Sequence, residues 1–282
     1  MEENEFLQII DYITQRTGII PRDSHKMGIK NYLEKRIMEL EEEEKTKIDY
    51  LKYIQENLNE PIHLLNNATV NETYFFREEA QFELLKSKIL PEIVKKNSLI
   101  PGRAGRPVKI WSAACSTGEE IVSIFLLAQS IGIKTECSAS DINTEVLEEC
   151  SKGKYKKHSV RSVDGSRFHN LLEKYKQPDN TFEIPEEIRN KINWKRINLS
   201  KMEDFPADQD IIFIRNVFIY FSNELKKSIL QKIAETSLAP GGYIFVSMNE
   251  VASFDRSIIP PTLEKLSDGK IFYFHKKEVK NV

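Results

Sequence analysis

Cysteine is scarce in this 282-residue chain: Cys115, Cys137 and Cys150 are its three, too few and too scattered for a disulfide framework or a closed zinc site. A reducing, cytoplasmic setting is the expectation, with no bound metal. No apolar stretch approaches the roughly 20 residues a bilayer span needs. The opening Met1-Glu2-Glu3-Asn4-Glu5 has neither the basic nor the apolar segment of an export signal, so neither export nor membrane insertion is expected. Charge of one sign is missing too: 41 Lys and Arg against 43 Asp and Glu give a net −2. That excludes the global cationic field a nucleic-acid binder uses, and any electrostatic docking must be local. What remains is 40% hydrophobic and 30% charged with mean hydropathy −0.44, the profile of a folded globular protein of one large domain or two.

The first hundred residues carry helical spacing and almost no strand signal. Phe6, Ile9, Ile10 and Ile13 recur at helix period; a second helix is expected from about residue 24 to the acidic run at 41–44, and a third over 49–57. Residues 1–75 are expected as a helical N-terminal domain and 76–107 as linker and connecting helix, with a flexible junction at 97–107, where Gly, Pro and Arg concentrate. After residue 107 short runs rich in β-branched and aromatic residues alternate with helical stretches: strands are expected at 108–114, 135–139, 210–215 and 243–246, helices at 119–131, 144–152 and 223–238. This alternation predicts an α/β fold, a Rossmann-like doubly wound sheet over 108–282, with ligands at the carboxyl ends of its strands. Residues 155–195 fit the rhythm poorly and are expected as a small insertion.

The first of those strands runs through Ala113 into Cys115-Ser116-Thr117-Gly118 and then the acidic pair Glu119-Glu120. Small residues there let a ligand approach main-chain N–H groups, yet no G-x-G-x-x-G is present and the two carboxylates would repel a pyrophosphate. A cationic ligand suits this mouth better than a dinucleotide, which disfavours a dehydrogenase. About 20 positions on, Asp141 ends the second strand, followed by Ile142; it is placed either to accept both hydroxyls of an unphosphorylated ribose or to cap the next helix. Asn198-Leu199 and Arg215-Asn216 end two further apolar runs. A buried Asn offers donor and acceptor to an adenine edge and a Leu packs on the ring face, unless these are ordinary strand-end residues.

Together the strings NETYFFRE (71–78), IWSAACSTGEE (110–120), ASDINTEVLEEC (139–150), INL (197–199), IRNVFIYF (214–221) and APGGYIF (239–245) resemble those of CheR-type chemotaxis receptor methyltransferases over nearly the whole chain. The resemblance implies a class I methyltransferase fold behind a small all-α domain, and S-adenosylmethionine as cofactor, leaving as S-adenosylhomocysteine. Carried over by position, it implies cofactor contacts at Asn71, Thr73, Arg77, Ala113, Glu119 or Glu120, Asp141, Ile142, Asn198, Leu199, Arg215 and Asn216, and a tyrosine beside the reaction centre at Tyr220. Two departures stand out: Ile121-Val122 where the family has Pro-Tyr, and Met248-Asn249-Glu250 where it has His-Ser-Glu. Around 165–182, where the family carries a small β-subdomain that in some members docks on a receptor tail, the match is loose.

The implied reaction is attack of a receptor glutamate oxygen on a sulfonium methyl. A carboxylate is already ionised at pH 7, so no general base is required; alignment, exclusion of water and a clamp are. Arg77 and Tyr220 are the expected clamp, with Arg77 equally suited to the cofactor's own carboxylate. Arg16, Arg22, Lys26, Lys30, Lys35 and Arg36 precede the acidic run, and a basic helix face at Lys26, Lys30, Lys35 and Arg36 is expected to dock the glutamate-rich cytoplasmic helical bundle of a chemoreceptor. The other readings of the same residues are a methyltransferase acting on a different protein or a small molecule, and a non-catalytic S-adenosylmethionine-binding module.

Overall fold

A computed structural model describes residues 1–161 and 165–278. The chain opens with α1 (Glu3–Thr17), α2 (Asp23–Glu44), α3 (Tyr50–Glu56) and α4 (Glu60–Asn67). The helix-spaced Phe6, Ile9, Ile10 and Ile13 form the buried stripe of α1 and meet Leu33, Tyr50, Ile54 and Leu64 in a core of their own. At its centre sits Glu60, 2% exposed. Its carboxylate accepts two hydrogen bonds from the Arg36 fork, at 3.0 and 2.8 Å, and one from the Tyr50 hydroxyl at 2.9 Å.

The 76–107 segment is less of a linker than its sequence suggests. α5 (Glu79–Leu84) runs without a break through a π-type turn at Leu85–Ile89 into α6 (Leu90–Leu99), and Pro91, which has no N–H to donate, stands just after that turn. Phe82, Leu85, Ile89, Leu90 and Ile93 bury against the sheet. The junction at 97–107 is pinned at its far end: Arg103 reaches Asp208 at 3.0 Å and Arg106 reaches Asp210 at 2.6 Å.

Then follow β1 (Val108–Ala113), α7 (Glu119–Ser130), β2 (Thr135–Asp141), α8 (Thr144–Lys152), β3 (Lys154–Tyr155), α9 (His169–Glu173), β4 (Phe182–Glu183), α10 (Glu186–Arg189), β5 (Ile192–Arg196), β6 (Gln209–Ile214), α11 (Asn223–Lys232), β7 (Leu238–Phe245), β8 (Leu263–Asp268) and β9 (Ile271–Lys276). Among the described residues these build a seven-stranded sheet in the order β5-β2-β1-β6-β7-β9-β8, parallel from β5 to β7, with β9 and β8 antiparallel at one edge. β6 is buried at every position and β1 at all but one, as a sheet covered on both faces requires.

Two details correct the sequence reading. Residues 192–195, grouped with the insertion, belong to the sheet: β5 pairs in parallel with β2 over Cys137–Asp141, its apolar content being too short to mark it as a strand. The hairpin β8–β9 also has no counterpart in the sequence reading: edge strand β8 is mostly polar, with only Leu263 and Leu266 apolar, and the apolar run in β9 was passed over. The rest of the insertion carries a two-stranded antiparallel pair, β3 with β4; its residues 162–164 lie outside the described residues. The order reverses between β1 and β6, so the crevice at their carboxyl ends is where a ligand site is expected physically.

Candidate cofactor and active site

A cavity opens at that crevice, lined from both the strand tips and the 69–77 segment. Its floor is the turn after β1. Gly118 has φ +90°, and a Cβ there would meet the Trp194 ring at 2.9 Å and Cys150 Sγ at 3.1 Å; only glycine fits. Ala114 (φ 61°) and Ser116 (φ 50°) also lie in the left-handed region, as do Phe76, Glu78 and Asn216 around the same cleft. Such backbone costs of order 1 kcal/mol per residue and persists where the surroundings over-determine it.

Asp141 does that determining for the turn. It is buried, and its carboxylate accepts the Ser116 N–H at 2.8 Å and the Asn143 N–H at 3.0 Å. The helix cap of α8 is Asn143, which accepts from Glu145 and Val146, so the capping role falls to a neighbour and Asp141 faces the cavity. Burial pushes its carboxyl above the usual aspartate range, against the backbone hydrogen bonds.

Of the acidic pair, Glu120 lines the cavity and Glu119 does not. Glu119 turns inward, takes a hydrogen bond from Thr117 Oγ1 at 2.6 Å and is 1% exposed. Helical rotation sends adjacent side chains about 100° apart, so only one of the two can face the ligand. Ala113 packs in the core, and its neighbour Ala114 lines the cavity. Glu120 receives Ser112 Oγ at 2.6 Å and Arg215 Nη1 at 3.1 Å; burial raises its carboxyl, with Arg215 opposing.

Arg215 sews the cleft together. Its side chain is 2% exposed; Nη2 donates to the Arg77 carbonyl at 2.6 Å and lies 3.5 Å from Glu78, whose carboxylate also accepts the Met248 N–H. Arg215 Nε is buried with no protein partner, a donor awaiting an acceptor. Asn71, Thr73, Arg77, Ile142, Asn198, Leu199, Asn216 and Tyr220 all reach the same cavity. Asn198 is more committed than an adenine reader would be: Nδ2 donates to Arg16 O at 2.7 Å, and Oδ1 accepts from Ser200. Arg77 donates to Glu72 O at 2.8 Å and stands 5.5 Å from the Tyr74 ring; among the described residues no carboxylate pairs with it. Burial raises the Tyr220 hydroxyl above its ordinary value, with Arg22 and Arg77 opposing.

Sequence reasoning missed one wall altogether. Thr17 and Ile19, in the α1–α2 turn, line the cavity. Gly18 sits so close to the sheet domain that a Cβ would meet Leu225 and Ser200, and the Ile20 N–H donates to Tyr220 O at 2.8 Å. No local signal marks that turn as part of the cavity wall, since only packing of the helical part on the sheet puts it there. Among the described residues no group of His, Cys, Asp and Glu could hold a metal ion, and no helix is long and apolar enough to cross a membrane.

The residues present fit a cationic nucleoside. Asp141 can take ribose hydroxyls, Leu199 and Ile142 flank an apolar face, Glu120 answers a positive group, and Arg215 Nε stands ready for an anionic one. Sheet order, crevice and donor set define an S-adenosylmethionine-dependent methyltransferase. The comparisons make this particular. The family described as "CheR methyltransferase, SAM binding domain" matches residues 71–260. Chemotaxis protein methyltransferase 2 of Vibrio cholerae is 33% identical over 265 residues, covering 91% of this chain and 88% of that protein. The chemotaxis protein methyltransferase of Salmonella typhimurium is 31% identical, covering 89% and 84%, and that of Borreliella burgdorferi is 27% identical, covering 77% and 79%. The chain belongs to the CheR family of chemotaxis methyltransferases.

Proposed function

We propose that this enzyme esterifies glutamate side chains on the cytoplasmic helical bundle of a chemoreceptor, in sensory adaptation, and that it works in the cytoplasm. One observation carries the reading: Arg77, a cation without a carboxylate partner among the described residues, and Tyr220 stand on the wall of the cavity whose other walls are Asp141, Glu120 and Arg215. Bound S-adenosylmethionine supplies an electrophilic methyl group on a sulfonium centre. Arg77 and Tyr220 receive the incoming carboxylate and orient one oxygen; because hydrogen bonding steadies that oxygen without protonating it, the group stays nucleophilic. Asp141 and Glu120 hold the donor by its hydroxyls and its positive charge, and Thr17, Ile19 and Leu199 exclude water.

The helical domain supports docking on a narrower surface than the sequence suggests. Arg36 is withdrawn from it, because its guanidinium is spent on buried Glu60. Lys26, Lys30 and Lys35 remain at the surface of α2, each beside a carboxylate, Asp23, Glu3 and Glu39 respectively, at 3.6 Å. Such exposed pairs are weak and exchange readily for a partner's acidic groups. The deciding experiment is transfer of labelled methyl groups to receptor-containing membranes: label released as methanol by mild base marks a glutamyl ester, whereas base-stable label, or none on receptor, would overturn the reading.

A further inference from the structure

We infer that Glu250 is a positioning residue for methyl transfer, a buried carboxylate behind the cleft that sets the loop carrying Asn216 and Tyr220. This rests on the function proposed above. Glu250 lies beyond the end of β7 and is fully buried. Its Oε2 accepts the N–H groups of Asn216 at 2.9 Å and Ser247 at 3.1 Å, and Oε1 accepts that of Ile219 at 3.2 Å; the Phe218 N–H bears on it as well. Among the described residues no Lys, Arg or His pairs with it. A buried carboxylate is tolerated when donors fill its lone pairs, and here backbone N–H groups fill them.

Those N–H groups belong to the site. Asn216 and Tyr220 line the cavity, joined by the short 3₁₀ turn Phe218–Tyr220, whose leading residue Val217 offers no side-chain cap. Glu250 is that cap, supplied from another loop. Asn216 is held at φ 58°, a conformation that needs outside support. Glu250 takes its N–H, and Ser247 Oγ takes its Nδ2 at 3.2 Å. Beyond the turn, the Tyr220 carbonyl accepts the Ile20 N–H of the helical domain. The loop is fixed from beneath and from the side, and Glu250 is the part beneath. Only a carboxylate serves: a glutamine keeps the shape but turns an NH₂ toward N–H groups that need an acceptor.

Displacement by about 1 Å lowers a positioned reaction far more than it lowers ligand affinity, and the remaining cavity walls still hold the nucleoside. In Glu250→Gln, kcat for receptor methylation is expected to fall about tenfold or more while the Kd for S-adenosylhomocysteine changes less than about threefold. Ser247→Ala, which removes the Asn216 Nδ2 acceptor but keeps the Ser247 N–H that Glu250 accepts, is expected to show the same split with a smaller kcat loss, and it carries the test should Glu250→Gln fail to fold. Ile9→Val, in the separate helical core, serves as the control for stability alone: it lowers Tm and leaves kcat unchanged at assay temperature. An active wild type with an equally active Glu250→Gln protein overturns this inference alone, as does a kcat loss that merely follows the folded fraction. A wild type that binds S-adenosylhomocysteine but methylates no receptor overturns the parent reading, and this one with it.

Discussion

Two regions of the molecule bury glutamates and treat them oppositely. In the helical domain Glu60 meets Arg36 and the Tyr50 hydroxyl; burial alone would raise its carboxyl, but those hydrogen bonds outweigh burial and hold it below the ordinary 4.5. At the cleft Glu120 has Arg215 and Ser112, yet burial wins and its carboxyl lies above 4.5. Asp141, supported only by backbone N–H groups, is raised as well. The difference lies in where the positive charge goes. Arg36 answers Glu60 with a bidentate fork, whereas Arg215 is divided between Glu120, Glu78 and the Arg77 carbonyl. A carboxylate left under-compensated is a stability cost in the free protein and an affinity reserve for a cationic ligand.

The largest effect that would break this contrast is on folding. Arg36→Ala leaves Glu60 charged and buried, so urea unfolding should show a loss of about 3–5 kcal/mol; a loss under about 1 kcal/mol would mean the helical pair is as loosely compensated as the cleft. The same pair predicts acid sensitivity. Because the folded Glu60 carboxyl is depressed, its contribution is complete above pH 4.5 and disappears as pH falls through the lower folded value.

The next effect is on binding. Glu120→Gln should weaken S-adenosylmethionine by about 10- to 100-fold, the range of one charge-assisted hydrogen bond, with folding stability unchanged or improved, as titration calorimetry and unfolding of the same sample would report. The pH sign is reversed at this site: with the folded carboxyl raised, the empty protein gains stability as pH falls through that raised value toward 4.5, while cofactor affinity falls over the same window. Affinity that is flat with pH, or a destabilised Glu120→Gln protein, would place Glu120 with Glu60 as a structural group. Smallest is the surface term. Reversing Lys26 and Lys30 together to Glu should slow receptor methylation severalfold at low salt, leave S-adenosylhomocysteine binding untouched, and lose most of its effect near 1 M salt, where the screening length is about 3 Å.

Much of the fold was legible because its signals are local. The α1 stripe of Phe6, Ile9, Ile10 and Ile13, the β-branched runs of β1 and β6, and the small-residue turn before Glu119 each report a periodicity or a backbone need over a few residues. β5 and β8, the two edges of the sheet, were hidden because they are largely polar and held by their neighbours' hydrogen bonds; β9, inside the sheet, carries the apolar run Ile271-Phe272-Tyr273-Phe274 that the sequence reading passed over. Asp141, Asn198, Leu199, Arg215 and Asn216, singled out in the sequence as polar or strand-end positions after apolar runs, all line one cavity. Adjacent Glu119 and Glu120 were not separable, since which of them faces inward depends on how α7 is rotated against the sheet.

The amino-acid order by itself determined the helical domain, the alternating α/β architecture, the glycine turn and the set of polar residues at strand tips, because each follows from hydrophobic period and backbone stereochemistry. Only the tertiary structure decided that Arg36 pairs with buried Glu60, that Glu120 rather than Glu119 lines the cavity, that Asn198 clasps α1, and that Thr17 and Ile19 line the same cavity. Each follows from how elements pack after they form: α2 against α4 for Arg36 and Glu60, α7 against the sheet for the glutamate pair, and the helical part against the sheet for Asn198, Thr17 and Ile19.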